Sequence, residues 1–359
     1  MRVKAGYWLV LFSTALAALV VILGAYTRLV DAGLGCPDWP GCYGFLTVPE
    51  SSVDVAKANL RFPETPVESA KGWPEMIHRY LAGTLGLFIL MIAVVAFRQN
   101  KQDNSYPIKL PFFLLVLVVI QAAFGMWTVT LKLWPQVVLA HLIGGFTTLS
   151  LLFLLLLRLR VSRENTSQQN NSKSYASNLF KYKVLARIGL VIVVIQIMLG
   201  GWTSSNYAAI ACMDFPTCHD SYWPEMDFSQ GFNIFQQIGP NYLGGVMDSN
   251  ARTAIHMAHR IGAVITALFL CYMCFSLMRV KLENLEKVNQ QYINNWAITI
   301  LSILIVQLSL GISNIVWFIP LPVAVAHNAC GALLLISLVG LNYQLYKIGK
   351  ASPILQRSI

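Results

Sequence analysis

Residues 33–44 read GLGCPDWPGCYG, and residues 212–218 read CMDFPTC. Each stretch sets two cysteines six positions apart around an aspartate and a proline, in a chain of 359 residues that is 56% hydrophobic and only 12% charged. A polar, cysteine-bracketed turn that recurs in so apolar a chain marks a duplication. Gly24, Thr27, Cys36, Asp38, Pro40 and Cys42 match Gly200, Thr203, Cys212, Asp214, Pro216 and Cys218 at a constant offset of 176. Further along, His78 and Arg79 in EMIHRYLAG (75–83) match His259 and Arg260 in HMAHRIGAV (256–264) at an offset of 181. Gln121, Gly125 and His141 match Gln307, Gly311 and His327 at 186. The fold is therefore a tandem repeat.

What is repeated is a set of membrane spans. Apolar runs at 8–27, 75–97, 110–130, 136–157, 184–204, 254–278, 296–318 and 321–345 are each close to the ~20 residues a helix needs to cross a bilayer. The first run has only Arg2 and Lys4 before it and no small-residue cleavage site after a short apolar core, so it reads as a retained helix. The expected fold is an all-α integral membrane protein, with eight transmembrane helices in two tandem four-helix bundles. Each unit has an even number of spans, so the copies share an orientation and are expected to be related by a pseudo-two-fold axis along the membrane normal. The expected domains are 1–160, a Ser-, Asn- and Gln-rich cytoplasmic linker at 161–183, and 184–359.

The formal net charge is +10, but its placement excludes a nucleic-acid partner. The N-terminus, the segments 98–109, 158–187 and 279–287, and the C-terminus hold 18 of the 26 Lys and Arg residues against four acids, while the segments 29–73 and 205–250 hold three basic residues against 11 acidic ones. That asymmetry is the positive-inside signature, which places both termini in the cytoplasm with lipid on every side of the bundle. The basic residues are scattered over five membrane-proximal segments and form no domain with interleaved aromatics.

Four of the six histidines, His78, His141, His259 and His327, lie near the outer ends of the even-numbered spans. Ionisable residues inside a membrane are costly and usually face the bundle interior, so each is a site candidate. Haem iron takes an axial nitrogen from each face of the macrocycle, and a helix bundle supplies both around an apolar slot. Zinc would want a third or fourth ligand close by, and only Glu75 and His256 offer one. Bis-histidine haem fits better, with His78 and His141 in one site and His259 and His327 in the other. Arg79 and Arg260 could pair with haem propionates or snorkel to lipid headgroups. Glu75 lies three residues before His78, on one helix face. The second copy has His256 there, so one half is expected to do chemistry while the other holds a haem. A structural Glu at a helix N-terminus is the rival reading. The cysteine pairs fall on the oxidising side, where disulfides are permitted. Cys271, Cys274 and Cys330 read as packing residues and His219 as a surface residue.

These residues resemble the haem A synthase family of respiratory-oxidase assembly. The likeness runs over nearly the whole chain, through GAYTRLVDAGLGC, EMIHR, VLAHLIGG, HMAHRIG and VAHNACG. The resemblance implies an oxidoreductase of the bacterial cytoplasmic (inner) membrane that converts a ring methyl of haem O to a formyl group through hydroxylated intermediates. It implies that His78 and His141 flank the substrate, that Glu75 is the catalytic carboxylate, and that His259 and His327 ligate a haem B that passes electrons. It further implies a Cys36–Cys42 disulfide, with Cys212–Cys218 as a second, and a haem O synthase upstream. A homo-oligomer stays open. Three other readings compete. A bis-haem electron carrier does not use Glu75, a quinone-linked thiol oxidoreductase leaves the histidines idle, and a transporter lacks broken mid-membrane helices.

Overall fold

A computed structural model describes residues 4–160, 173–279 and 287–350. Among them the chain is almost wholly helical: α1 (Tyr7–Leu29), α2 (Ser52–Arg61), α3 (Ser69–Gln102), α4 (Lys109–Thr130), α5 (Pro135–Leu159), α6 (Lys173–Ser205), α7 (Phe228–Gly231), α8 (Ser249–Arg279), α9 (Lys287–Val316) and α10 (Leu321–Lys350). Eight of these, all but α2 and α7, are long and apolar enough to cross a membrane. Their outward faces carry large apolar side chains such as Phe12, Leu87, Val119, Val191, Leu268 and Ile305. In water these would be a liability; against lipid tails they match the solvent.

The helices pack in two sets that correspond one to one. In the first, α1 and α4 each lie against α3 and α5; in the second, α6 and α9 each lie against α8 and α10. Between the sets α1 meets α10, α5 meets α6, and α5 meets α10. The α1–α10 contact is thus the counterpart of the α6–α5 contact. Arg28 donates to the carbonyl oxygen of Ser204 at 2.6 Å, and the Tyr207 hydroxyl donates to Asp31 at 2.8 Å, so at the C-terminal ends of α1 and α6 residues 176 apart meet their own counterparts. The Arg28 guanidinium also stacks on the Tyr207 ring, 4.0 Å from its centroid. Close approach along the seam comes from Gly201, where a Cβ would lie 2.7 Å from Leu139 and Leu142.

Four helices, α3, α6, α8 and α9, start well before the apolar runs that mark them. Pro135 opens α5, but Pro74 lies inside α3, which begins at Ser69 because the N–H groups of Lys71 and Gly72 already bond the Glu68 carbonyl. The proline forfeits only the bond to the Ala70 carbonyl. Likewise α8 begins at Ser249. His78 and His259 are therefore the tenth and eleventh residues of their helices, whereas His141 and His327 are each the seventh. α3 and α8 extend beyond their histidines by about a further turn, and the disulfide loops dock on these extensions. α9 begins at Lys287 rather than near 296, and α6 at Lys173, so the later part of the expected linker is helical; residues 161–172 lie outside the described residues.

Candidate functional site

Each of the four histidines rests against a glycine of a neighbouring helix. A Cβ on Gly24 of α1 would lie 3.0 Å from Cε1 of His78, and one on Gly200 of α6 would lie 3.0 Å from Cε1 of His259. Gly125 of α4 faces His141 at 3.4 Å, and Gly311 of α9 faces His327 at 3.2 Å. At Gly24, Gly200 and Gly311 a Cβ would press on the ring, and at Gly125 it would touch it. The imidazoles of His78 and His141 meet with centroids 6.5 Å apart and planes at 78°. His259 and His327 are close enough to interact electrostatically. The Nδ1 atoms of His78, His141 and His327 are buried without a hydrogen-bond partner. In hydrocarbon surroundings such a nitrogen is costly to leave unpaired, which marks it as kept for something else.

In the second copy side-chain amides reach the rings. The Gln196 amide nitrogen lies 3.0 Å from both Nδ1 and the backbone oxygen of His259, and the Gln307 amide is 3.3 Å from Nε2 of His327. In the first copy the Gln121 amide packs against Gly144, where any side chain would displace it.

Above each pair sits a cysteine loop. Cys36–Cys42 and Cys212–Cys218 are disulfide-bonded, with Cα atoms 4.8 and 5.0 Å apart. The loops are built alike. Asp38 accepts from the N–H groups of Tyr43 and Gly44 at 2.6 and 2.7 Å, and Asp214 from those of His219 and Asp220 at 3.0 and 3.2 Å. Short bridges pair Cys42 with Phe45 and Cys218 with Ser221. His219 is exposed, and the Cys212–Cys218–His219 group has its two sulfurs tied in the disulfide, which removes it as a metal site.

The arginines go to these loops. Arg79 donates to the carbonyl oxygens of Asp38 (3.0 Å), Pro40 (3.3 Å) and Gly41 (2.5 Å), while Arg260 donates to those of Thr217 (2.8 Å), Cys212 (2.9 Å) and Asp214 (2.9 Å). Where propionates were one expectation, the described contacts are loop carbonyls. Glu75 is buried, with one carboxylate oxygen paired to Arg79 and the other accepting the Cys36 N–H at 3.0 Å. Loop, arginine and carboxylate form one unit. In the second copy His256 stands where Glu75 does, and its Nδ1 is 3.1 Å from the Ala208 carbonyl oxygen. That site therefore has no carboxylate at the equivalent point.

Outside the spans, Asp214 titrates low, at about 2. Its slight burial opposes this, but hydrogen bonds from the Thr217 hydroxyl and the His219 and Asp220 N–H groups outweigh it. A carboxyl lowered by folding supports the loop above its unfolded value of about 4 and releases that support as the pH falls through the folded value. Reduction of Cys212–Cys218 by a phosphine should therefore accelerate between pH 4 and pH 2, and Asp214→Asn should abolish that pH dependence. A flat profile in the parent protein would remove Asp214 as the loop's support.

The glycine seats and Gln196 were not picked out as site residues from the sequence. The glycines carried a signal, since each recurs opposite a histidine in both copies. Gln196 carried the opposite one, since it breaks the repeat where Val20 stands in the first copy.

A family model described as cytochrome oxidase assembly protein (COX15-CtaA) matches residues 7–339. Among curated proteins, one named heme A synthase from Shewanella oneidensis is 45% identical, the match covering 94% of this chain and 96% of that protein. Proteins of the same name from Orientia tsutsugamushi (strain Ikeda) and Chelativorans sp. are each 24% identical, over 92% and 91% of this chain and 92% and 87% of their own lengths.

Proposed function

Because the chain belongs to the COX15-CtaA family of cytochrome oxidase assembly proteins, we propose that it is a haem A synthase of the bacterial cytoplasmic membrane, with both termini in the cytoplasm. Haem O, supplied by a haem O synthase, is the substrate of the N-terminal half, and a haem B resides in the C-terminal half. The halves are two four-helix bundles about a pseudo-two-fold axis along the membrane normal. The one-to-one packing of the two helix sets and the meeting of residues 176 apart support that arrangement.

The observation that carries the reading is the fourfold seating of an imidazole against a glycine. The residues fit a haem on three counts. A Cβ at Gly24, Gly200 or Gly311 would crowd the ring. On three of the four rings, His78, His141 and His327, Nδ1 is buried without a hydrogen-bond partner. A metal taking one nitrogen from each ring at about 2 Å needs ring centres roughly 6 Å apart, against 6.5 Å for His78 and His141. His259 and His327 would hold the haem B iron, which supplies an electron-transfer centre beside the substrate half.

In the substrate half, His78 and His141 bind and orient haem O through its iron. Glu75 is the group placed to hold a proton during the conversion of haem O to haem A. Arg79 and the Cys36 N–H fix its carboxylate, and the loop closed by Cys36–Cys42 covers that end of the helix. The second half, with His256 in place of Glu75, retains its haem without acting on it. Cells expressing this chain with a haem O synthase should yield haem A on pigment extraction, and cells with the synthase alone should yield haem O. Unchanged haem O alongside bound haem B would overturn the enzyme reading in favour of a bis-haem electron carrier.

A further inference from the structure

A haem brings carboxylates as well as iron, and the arginines next to the histidines are spent on loop carbonyls. The repeat supplies another pair of cations. At the offset of 181 that aligns His78 with His259, Lys71 aligns with Arg252. Each stands seven residues before its histidine, which in an α-helix is two turns, about 10 Å along the axis and within about 20° of the same direction around it. Lys71 and Arg252 thus lie on the histidine side of α3 and α8, toward the outer ends. The residues that meet the disulfide loops, Met76 and Arg79 on α3 and Met257 and Arg260 on α8, are about 100° or more further round. Arg252 stands out. It is half-buried, its Nε is buried without a hydrogen-bond partner, and among the described residues its guanidinium makes no ion pair, hydrogen bond or ring contact. Asp248, one turn further out, is instead engaged by the Gln230 amide at 3.1 Å. Donors withdrawn from water with nothing to donate to are costly to keep. Lys71 has a partner, Glu68 at 2.8 Å, but the two side chains are 38% and 61% exposed, and such a pair contributes little.

We propose that Arg252 binds a propionate of the haem in the C-terminal site, and that Lys71 binds a propionate of the substrate haem more loosely. The inference rests on the bis-histidine reading above. The two cations suit the two tasks. The planar guanidinium grips a carboxylate through two parallel hydrogen bonds, whereas the ammonium is a strongly hydrated point charge on a flexible stem. Lys71 can pass between Glu68 and an incoming propionate, as a site that exchanges substrate for product requires. Arg252 is engaged by no carboxylate of its own chain, so it has no rival partner to return to and keeps the haem it holds. In both halves the propionate stays at the outer edge of the span, where a charge is least costly, while the histidines hold the iron deeper.

The test uses the purified full-length protein and the rate at which its haem B passes to apomyoglobin, a readout independent of turnover. Arg252→Gln should raise that rate about 10- to 100-fold, the weight of a hydrogen bond between charged groups, and Arg252→Lys should fall between the parent and Arg252→Gln. The specific signature comes from haem B dimethyl ester, which presents no carboxylate. Exchanged into the parent in place of haem B, the ester should leave at least as fast as haem B leaves Arg252→Gln, and on the ester the substitution should have no further effect. The ester arm needs no variant, so it stands even if Arg252→Gln does not accumulate. Parental release of haem B from Arg252→Gln, or release of the ester from the parent no faster than haem B, would overturn the assignment. So would an equal acceleration of haem B and ester by the substitution, which would make Arg252 a support of the fold or a partner of lipid phosphate. In the substrate half, Lys71→Arg should raise, and Lys71→Gln lower, the haem O and haem A that co-purify with the protein relative to haem B; unchanged ratios in both would remove Lys71. His259→Ala run alongside separates the two failures: if it empties the C-terminal site while Arg252→Gln behaves as the parent, only the propionate assignment falls. If it retains the full haem spectrum, the ligand assignment falls and the propionate assignment with it.

Discussion

Purified His259→Ala and His327→Ala proteins should each lose the low-spin haem B absorption, with haem content falling to less than a tenth of the parent's, while the Cys36–Cys42 loop stays folded. The size of the effect follows from the setting. Each ring lies inside a span against a glycine of the next helix, Gly200 or Gly311, so no side chain is at hand to replace the lost nitrogen. Alanine leaves a cavity next to that glycine, and the slot between the helices loses one of its two polar anchors. Apolar contacts remain for the macrocycle, but without both axial nitrogens the low-spin state cannot persist. Helix packing should survive, since the large core cluster shared by the two sets of helices, including Leu152, Leu155, Leu341 and Leu345, does not depend on either imidazole. The absorption spectrum and a pyridine haemochrome assay measure the result, with thermal unfolding as the control on folding. A full low-spin spectrum in both variants would sink the ligand assignment, and substitution at His78 or His141 would then be the next place to look.

The spans were legible because a bilayer fixes their length: a run of about 20 apolar residues has few other uses, and each apolar run coincides with a helix of the structure. The helix ends were not. α3 and α8 begin in SAKGW and SNART, mixed segments that gain helical structure from the loops packed on them. Of the site, the histidines and Glu75 were legible as polar residues inside apolar runs, doubled by the repeat. The destinations of Arg79 and Arg260 were not, because their acceptors are backbone carbonyls of loop residues some 40 positions away, which any sequence supplies equally well. The disulfides needed the resemblance to be named, and the structure forms both. Gln196 shows a third case. A repeat draws attention to what matches, yet here a departure, Gln196 for Val20, distinguishes one ring's surroundings from the other's.

Replacing Glu75 should stop the conversion of haem O while leaving haem B in place, and two substitutions together separate a chemical role from a structural one. Glu75→Ala removes a buried carboxylate that accepts from Arg79 and the Cys36 N–H. The guanidinium is left next to an apolar side chain, a loss of the kind that costs about 3–5 kcal/mol when a buried pair is broken from one side, so the loop can loosen and lower activity for that reason alone. Glu75→Gln keeps an oxygen for Arg79 and nearly the same volume, but it cannot take up or release a proton at working pH. If the carboxylate only holds the loop, Glu75→Gln, which keeps one of the two acceptors but sets its amide nitrogen against the other donor, should retain clearly more of the haem A yield than Glu75→Ala, which keeps neither. If it handles a proton during methyl oxidation, both should fall by about 10²- to 10⁴-fold, the usual range for general acid–base catalysis, with the haem B spectrum of both unchanged. The measurement is haem A against haem O in extracts of cells co-expressing a haem O synthase, normalised to haem B in the purified protein. The second pattern is expected, because the other copy, with the same disulfide loop, the same loop aspartate and the same arginine, manages its loop with no carboxylate at the position of Glu75: there His256 bonds the Ala208 carbonyl and Arg260 still holds Cys212, Asp214 and Thr217. A loop that stands without a glutamate in one half does not explain a buried glutamate in the other. Near-parental haem A yield in Glu75→Gln would remove Glu75 from the chemistry and leave it as the anchor of its loop.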